Sequence, residues 1–153
     1  MQRKIPGSCR HTMRFVLVAI LALAAAGCSR PPDETALRET IESMRKAAEA
    51  RDAGGVLDPI AADFSGRGAE VDREGLSRLL KLEFLRPEPI GVSIASIDVA
   101  VDGDRATAKF EMTLTDRSRR FVPGGREDYA VVSGWRREGR RWVCVNATWD
   151  VKE

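Results

Sequence analysis

The spacing of apolar residues changes at Pro87 and Pro89, and this change constrains the fold more than any other feature of the sequence. Before these prolines, apolar residues recur every three or four positions, as they do along one face of an α-helix. After them, apolar and polar residues alternate, which is typical of β-strands with one buried face. The sequence therefore predicts an α+β fold in which helices come first and an antiparallel sheet follows.

Three helices are predicted before the prolines. The first has an apolar face that consists of Leu37, Ile41, Met44 and Ala48. The second follows a glycine break, and its apolar face consists of Val56, Leu57, Ile60 and Phe64. The third begins at Asp72, a residue type that favours the N-cap position. Its predicted buried face consists of Leu76, Leu79, Leu80 and Phe84.

Two hairpins are predicted after the prolines. Folding the chain about Asp102 and Gly103, a common turn dipeptide, places Val99 opposite Ala106. The apolar residues upstream have the opposite phase, which predicts a bulge near residues 95 and 96. A second turn near residues 138 and 139 pairs Trp135 with Trp142. Both faces of this second hairpin are largely apolar or aromatic, so we expect each face to be covered.

The N-terminal part has the features of a targeting signal. Residues 15–26, "FVLVAILALAAA", carry no charge and follow Arg14. A helix of twelve residues is about 18 Å long, too short for a hydrocarbon core of about 30 Å. A basic residue, a short apolar run and small residues are typical of a secretory signal peptide. Met13 is an alternative start, because the signal is complete without the first twelve residues.

The segment "AAGC" resembles a bacterial lipobox, in which the chain is cut before a cysteine that is then acylated. The resemblance predicts a signal peptide at residues 1–27, the lipidated Cys28 with a tether up to residue 35, and a folded domain at 36–153. Ser29 resembles the residue found in lipoproteins sent to the outer membrane. We therefore expect an outer-membrane lipoprotein that faces the periplasm and contacts the membrane through acylated Cys28. The inner membrane, ordinary secretion and a retained anchor remain alternatives.

Cleavage at this point would exclude several kinds of chemistry. The whole chain has 25 basic and 23 acidic side chains and one histidine, His11. Residues 1–27 contain that histidine and four of the basic residues, so the remaining part has 21 basic and 23 acidic side chains, a formal charge of −2. The composition therefore gives no reason to expect a nucleic-acid partner. Without histidine, a Ser-His-Asp triad and an ordinary zinc site are excluded, and we predict neither a metal nor a cofactor.

The segments "EARDAGGVLDPIAADF" and "VVSGWRREGRRWVCV" resemble the nuclear transport factor 2-like (SnoaL-like) superfamily. The resemblance extends over residues 37–150. It implies three N-terminal helices packed on a strongly curved antiparallel sheet, a cone-shaped, cystatin-like roll with a pocket between sheet and helices. Members include ketosteroid isomerase, scytalone dehydratase, polyketide cyclases and noncatalytic binding or assembly domains. Because the superfamily hosts several functions, the fold alone does not select one.

The implied pocket places one face of the second hairpin toward a ligand. Relatives often have histidines four and six positions after a tryptophan, and counting from Trp142 reaches Asn146 and Thr148 instead, neither of which is a base near neutral pH. With simple alternation along both strands, the predicted pocket residues are Tyr129, Ser133, Trp135, Cys144, Asn146 and Thr148.

The leading functional prediction is a noncatalytic domain that binds a small apolar ligand or a partner protein, and no catalytic residue is assigned. One alternative is a pocket enzyme of the isomerase, dehydratase or cyclase type, which would use Tyr129 with Glu127 or Asp150. Another alternative is an envelope assembly subunit that forms a homodimer through the opposite face of the second hairpin. The residues of that predicted dimer face are Ala130, Val132, Val145 and Trp149.

Overall fold

A computed structural model describes residues 33–87, 90–116 and 125–152. The predicted signal peptide, Cys28 and residues 29–32 of the tether lie outside these residues, whereas residues 33–35 belong to a helix. In the described part, three helices and six strands follow the order α1 (Asp33–Glu49), α2 (Ala53–Leu57), β1 (Ile60–Gly66), β2 (Val71–Asp72), α3 (Arg73–Phe84), β3 (Ile90–Asp102), β4 (Arg105–Asp116), β5 (Arg126–Glu138) and β6 (Arg141–Val151). The predicted α+β class, with helices followed by a curled sheet, is confirmed.

The six strands form one sheet in the order β2-β1-β6-β5-β4-β3. Strands β3 to β6 form a continuous antiparallel meander, whereas β1 lies parallel to β6. Long strands twist and bend, and β3 also carries a bulge at the predicted place, where the pairing shifts between Ala95 and Asp98 and Ser96 takes a φ of +54°. The sheet is therefore curled around the helices on one side.

The helices cover the inner face of this sheet through the predicted apolar stripes. On α1, Leu37 and Ile41 are buried against the sheet. Helix α3 begins where predicted, because the Asp72 carboxylate accepts a hydrogen bond of 2.6 Å from the backbone N–H of Gly75. Leu76 and Leu80 pack against the core, but Leu79 is exposed, contrary to the prediction. The helix is rotated so that Leu79 lies at the edge of the buried stripe.

The second predicted helix is wrong over most of its length. Only Ala53–Leu57 is helical, and Ile60–Gly66 is a strand. Its first residue pairs with Cys144 of β6, and the backbone N–H of Cys144 donates to the Pro59 carbonyl at 2.7 Å. A short apolar run fits a buried strand as well as a helix, and pairing with an open sheet edge favoured the strand.

Both hairpins turn one residue later than predicted. The two-residue turns are Gly103-Asp104 and Gly139-Arg140, so Asp102 pairs with Arg105 and Glu138 with Arg141. The first residue of each turn has a positive φ, +56° at Gly103 and +62° at Gly139, a conformation that glycine adopts without strain. The predicted pairs are therefore shifted by two residues, which leaves every side chain on its predicted face near the turns.

A bulge in β6 changes the faces farther from the second turn. Trp135 pairs with Cys144 and Gly134 with Asn146, so Val145 is an extra residue in β6. Gly134 leaves room for the Asn146 side chain, since a Cβ atom there would lie 2.6 Å from Asn146 Oδ1. Beyond the bulge, Ala147 and Trp149 turn inward. One inserted residue therefore reverses the predicted alternation over the second half of β6.

Candidate functional site

A cavity of about 830 Å³ lies between the inner face of the sheet and helices α1 and α3. Its volume lies within the range of about 300–1,000 Å³ that is usual for small-molecule sites. Most of its wall is aliphatic or aromatic. The apolar part of the wall includes Ile41, Met44, Ile60, Phe64, Leu76, Leu80, Val92, Phe110, Met112, Val131, Trp135 and Trp149.

The floor of the cavity, defined by Ser133, Trp135 and Cys144, is buried and its polar atoms are paired. Ser133 Oγ accepts a hydrogen bond of 2.9 Å from Trp135 Nε1 and donates one of 3.2 Å to the Ala108 carbonyl. Ser133 is the only buried polar residue among the described residues. Because its hydroxyl is fully engaged, the floor presents an essentially apolar surface to a ligand.

Cys144 packs as a small apolar residue of the floor. Its exposure is 3%, and its thiol contacts the Asn146 carbonyl at 3.3 Å. Burial raises the pKa of the Cys144 thiol to about 12, so the thiolate is essentially absent near neutral pH. No described side chain hydrogen-bonds to this sulfur as a base. The geometry is that of a structural cysteine rather than a nucleophile.

The mouth of the cavity, defined by Glu83, Arg86, Glu127 and Tyr129, lies at the other end and carries three of the four charged side chains that line the cavity. The Tyr129 hydroxyl donates a hydrogen bond of 2.5 Å to Glu127 Oε2. This bond, together with partial burial and the nearby charges of Glu127 and Glu83, raises the pKa of Tyr129 to about 12. Arg86 Nε forms an ion pair with Glu83 Oε2 at 3.2 Å. Glu127 and Arg86 are exposed, so the cavity opens here to solvent.

Arg45 lies in the cavity wall but is already neutralised. Its guanidinium contacts Glu42 at 2.8 Å and Glu49 at 2.7 Å, and it donates to the Val92 carbonyl at 3.1 Å. Glu49 in turn accepts the backbone N–H of Val92 at 3.2 Å. These contacts join α1 to the start of β3, so Arg45 acts here as a tie between helix and sheet.

Four of the six predicted pocket residues lie around the cavity. Tyr129 is at the mouth, and Ser133, Trp135 and Cys144 form the floor. Asn146 and Thr148 are exposed and are not among the lining residues, because the bulge at Val145 directs them outward. This corrects their predicted orientation. The positions that face the cavity instead are Ala147 and Trp149.

The bulge also changes the two alternative sites. Asp150 pairs with Ala130 and is exposed, so it is separated from the cavity-lining Glu127 and Tyr129. The predicted dimer face loses Trp149 to the cavity and retains Val132, which is 42% exposed, with Ala130 and Val145. Of the two carboxylates considered for an enzyme, only Glu127 is at the cavity.

Two mouth residues, Glu83 and Arg86, were not predicted. They lie near the end of α3, and the sequence places them among ordinary surface charges. The prolines that follow α3 are the sequence feature that could have indicated the position of these two residues, because they end the helix close to the start of the edge strand β3. Nothing in the spacing of the charges indicates that they border a cavity.

The described residues also limit metal and membrane interactions. In residues 33–87, 90–116 and 125–152, no group of three or more Asp, Glu, Cys or His side chains is arranged to hold a metal ion. Over the same residues, no helix combines the length and apolar character needed to span a bilayer.

Solved structures share this architecture at low sequence identity. An NTF2-like protein of unknown function from Pseudomonas putida is 20% identical, covers 76% of this chain and 84% of its own, and superposes with a TM-score of 0.68. An NTF2-like protein with a cystatin-like fold from Novosphingobium aromaticivorans is 21% identical over 90% of this chain and 88% of its own, with a TM-score of 0.64. The chain has the NTF2-like fold.

A third similar structure is described as having a cystatin-like fold. A protein of unknown function from Nostoc punctiforme, with a cystatin-like fold, is 16% identical over 78% of this chain and 91% of its own, with a TM-score of 0.65. No protein-family model and no curated protein sequence matches the chain. The superpositions establish the NTF2-like fold, and at these identities the fold is all that the similarity shows.

Proposed function

We propose that this chain is an envelope lipoprotein whose NTF2-like domain binds a small, largely apolar ligand without transforming it. The observation that carries the proposal is the cavity of about 830 Å³, apolar in most of its wall and open at one charged end. Pockets of this kind are the usual place for small-molecule binding, because they remove apolar ligand surface from water.

The floor favours an apolar ligand over a polar one. Ser133 and Trp135 hydrogen-bond to each other, so a polar ligand group that reached the floor would lose its water without gaining a partner. Such a group pays about 1–3 kcal/mol for burial without a hydrogen bond. A ligand therefore places its apolar part on the floor and any polar group at the mouth.

The arrangement of ionisable groups favours binding over catalysis. Tyr129 and Glu127 hydrogen-bond to each other, and this contact makes Tyr129 a weaker proton donor than a free tyrosine. Cys144 is protonated and buried. The one observation that favours a pocket enzyme is the position of the Tyr129–Glu127 pair at the mouth, from which both groups would reach a polar ligand atom.

Quenching of tryptophan fluorescence by a brominated alcohol, 11-bromoundecanol, tests the binding proposal. Trp135 and Trp149 line the cavity, whereas Trp142 is buried in the core behind it. We expect saturable quenching that falls by about half in Trp135→Phe and is essentially unchanged in Trp142→Phe. Equal loss in the two variants, or quenching that never saturates, would contradict a ligand in the cavity.

A cavity-filling variant provides a second test. Ala48 lies on α1 and lines the cavity, so Ala48→Phe should weaken binding of the alcohol by about tenfold or more, because overpacking leaves less space for a ligand. Ala130→Phe is the matched control, since Ala130 is exposed on the outer face of the sheet. If native mass spectrometry recovers a bound ligand whose mass changes on incubation, the enzyme alternative is correct instead.

The membrane location is a separate part of the proposal. It is supported by the short apolar run at residues 15–26 that precedes Cys28, all of which lies outside the described residues. Cells grown with a palmitate analogue should label the wild-type protein and not Cys28→Ala. Label on both proteins, or on neither, would contradict acylation at Cys28.

A further inference from the structure

An exposed stripe of leucines runs along the outer side of α3. Five large apolar side chains are exposed in the part of the chain that the structure describes, and three of them belong to this stripe. Leu79, Leu82 and Leu85 are 51%, 65% and 80% exposed. They follow one another at intervals of three residues, and Leu85 continues the helical conformation with φ −77° and ψ −16°. Helical spacing of three places successive side chains on the same side.

The described core does not include the stripe. It contacts α3 through Leu76 and Leu80, so the stripe begins with Leu79 at the edge of the buried side and continues away from that side through Leu82 and Leu85. Exposed leucines in a continuous row are unusual on a soluble surface and mark contact with a partner or a membrane. Helix α3 is therefore apolar on two sides, of which only one is covered by the described residues.

The charges around the stripe fit an anionic surface. Arg78 immediately precedes Leu79, Lys81 immediately precedes Leu82, and both basic side chains are exposed. Arg78 forms an ion pair of 3.0 Å with Glu74, and no described carboxylate pairs with Lys81. Arg73 donates to the carbonyls of Ile60 and Leu57 rather than to an acid. Arg73 is therefore held against the covered side of α3, and Arg86 pairs with Glu83 at the mouth, so the basic side chains beside the stripe are Arg78 and Lys81.

We infer that the outer side of α3 docks on the surface of a lipid bilayer that contains anionic headgroups. Interfacial helices bury an apolar face at the acyl boundary while their basic side chains remain among the headgroups. Exposed leucines that are next to Arg78 and Lys81 satisfy both requirements. A lipid surface fits this composition better than a protein groove, because long basic side chains can extend along the leucines to the headgroups.

Docking through this stripe would bring the mouth of the cavity to the membrane. Phe84 and Arg86, the neighbours of Leu85, line the cavity, while Leu85 itself faces outward. An apolar ligand would then pass between the bilayer and the cavity with little exposure to water. This exchange rests on the proposed function, whereas docking depends only on the stripe.

Photocrosslinking of the full chain tests docking even if Cys28 also anchors the protein. Benzoylphenylalanine is introduced in place of Leu85, or in place of Thr107 as a matched control on the exposed outer face of the sheet. Each protein is reconstituted with phosphatidylcholine vesicles, with or without about one-third phosphatidylglycerol. We expect lipid adducts at position 85 to exceed those at position 107 by about tenfold, because interfacial burial places only α3 among the lipids.

Charge variants test the anionic part. Arg78→Gln combined with Lys81→Gln should reduce the lipid adducts at position 85 by about threefold or more on anionic vesicles, since these side chains face the headgroups. Lys109→Gln, on the outer face of the sheet, should leave them unchanged. Equal lipid adducts at positions 85 and 107, or adducts only to another copy of the chain or to another protein, would overturn the inference. Bromoundecanol quenching reports on the cavity separately, so failure of docking and failure of ligand binding are distinguishable.

Discussion

Strand β5 contributes to both the floor and the mouth of the cavity, yet these two ends differ in burial, in charge and in the partners of their polar atoms. At the floor, Ser133 and Trp135 are 3% exposed and their polar atoms are paired with the protein. At the mouth, Glu127 is exposed and its carboxylate is paired with Tyr129 at the edge of solvent. The floor therefore contributes mainly to stability, whereas the mouth has the freedom to contact a ligand at little cost to the fold.

The two ends also differ in how their charges are held. Beyond the floor, Arg137 lies 4.4 Å from the ring of Trp142 and contacts Asp33 at 2.6 Å and Asp104 at 3.2 Å. These contacts tie the hairpin turns to the start of α1. At the mouth, Arg86 pairs only with its helix neighbour Glu83 among the described residues. We therefore expect substitutions at the floor to lower mainly the stability of the fold, and substitutions at the mouth to weaken mainly ligand binding.

The largest expected effect is at the floor. Trp135→Ala removes a buried aromatic side chain and should lower the free energy of unfolding by about 3–5 kcal/mol, because the surrounding core closes the space only in part. Urea denaturation followed by circular dichroism measures the change. A loss below about 1 kcal/mol would mean that Trp135 is not part of a closed floor.

Much of this contrast follows from the sequence, because alternation along β5 depends only on the period of a strand. Tyr129, Ser133 and Trp135 are two or four residues apart and therefore share a face. The fold class is predictable for the same reason, from helical spacing before Pro87 and alternation after it. Because Gly103 and Gly139 adopt a positive φ as the first residue of each turn, both turns lie one residue later than predicted. Each strand pairing is therefore shifted by two residues, and every side chain near the turns stays on its predicted face.

The opposite wall is less predictable. Val145 is an ordinary strand residue, and nothing in its type marks a bulge, so Asn146 and Thr148 were assigned to the wrong face. The strand at Ile60–Gly66 was also missed, since its parallel partner lies more than seventy residues later and short apolar runs do not reveal such pairing. Local spacing identified the floor, whereas long-range pairing decided which residues complete the cavity.

A smaller effect is expected for the polar atoms of the floor. Ser133→Ala leaves Trp135 Nε1 and the Ala108 carbonyl without their partner and should cost about 1–3 kcal/mol. Thr107→Ala, on the exposed outer face of the neighbouring strand, is the control and should change stability by less than about 0.5 kcal/mol. Similar losses of stability in both variants would show that the hydrogen bonds of the floor contribute no more to stability than the side chains of the exposed face.

At the mouth, the expected effect is on a pKa. Tyr129 is the only tyrosine of the chain, so tyrosinate absorbance reports on it alone. Glu127→Gln should move the pKa of Tyr129 from about 12 toward its ordinary 10.0, because the hydrogen bond to Glu127 is the largest cause of the shift, ahead of burial and of the negative charge of Glu127. An unchanged pKa of Tyr129 in this variant would mean that the side chains of Tyr129 and Glu127 are not in contact in solution.

The same pair gives a pH dependence with a definite sign. The pKa of Tyr129 is raised in the folded state, so the folded protein holds this proton more tightly than the unfolded chain. The stability that Tyr129 contributes is complete below a pH of about 10, the pKa of an unfolded tyrosine, and is lost as the pH rises toward 12. Tyr129→Phe should remove this part of the alkaline loss. A steeper loss of stability at alkaline pH in Tyr129→Phe than in the wild type would contradict the predicted sign of the pH dependence.

The smallest expected effect belongs to the leucine stripe beside the mouth. Leu85→Ser should change the free energy of unfolding by less than about 0.5 kcal/mol, because this side chain is 80% exposed and the described core does not contact it. Leu80→Ser, on the covered side of the same helix, should cost about 1–3 kcal/mol. Equal losses of unfolding free energy in the two variants would mean that the stripe is packed in solution. The mouth would then be as tightly packed as the floor. A neutral Leu85→Ser leaves the outer side of α3 free to contact a surface beyond the domain.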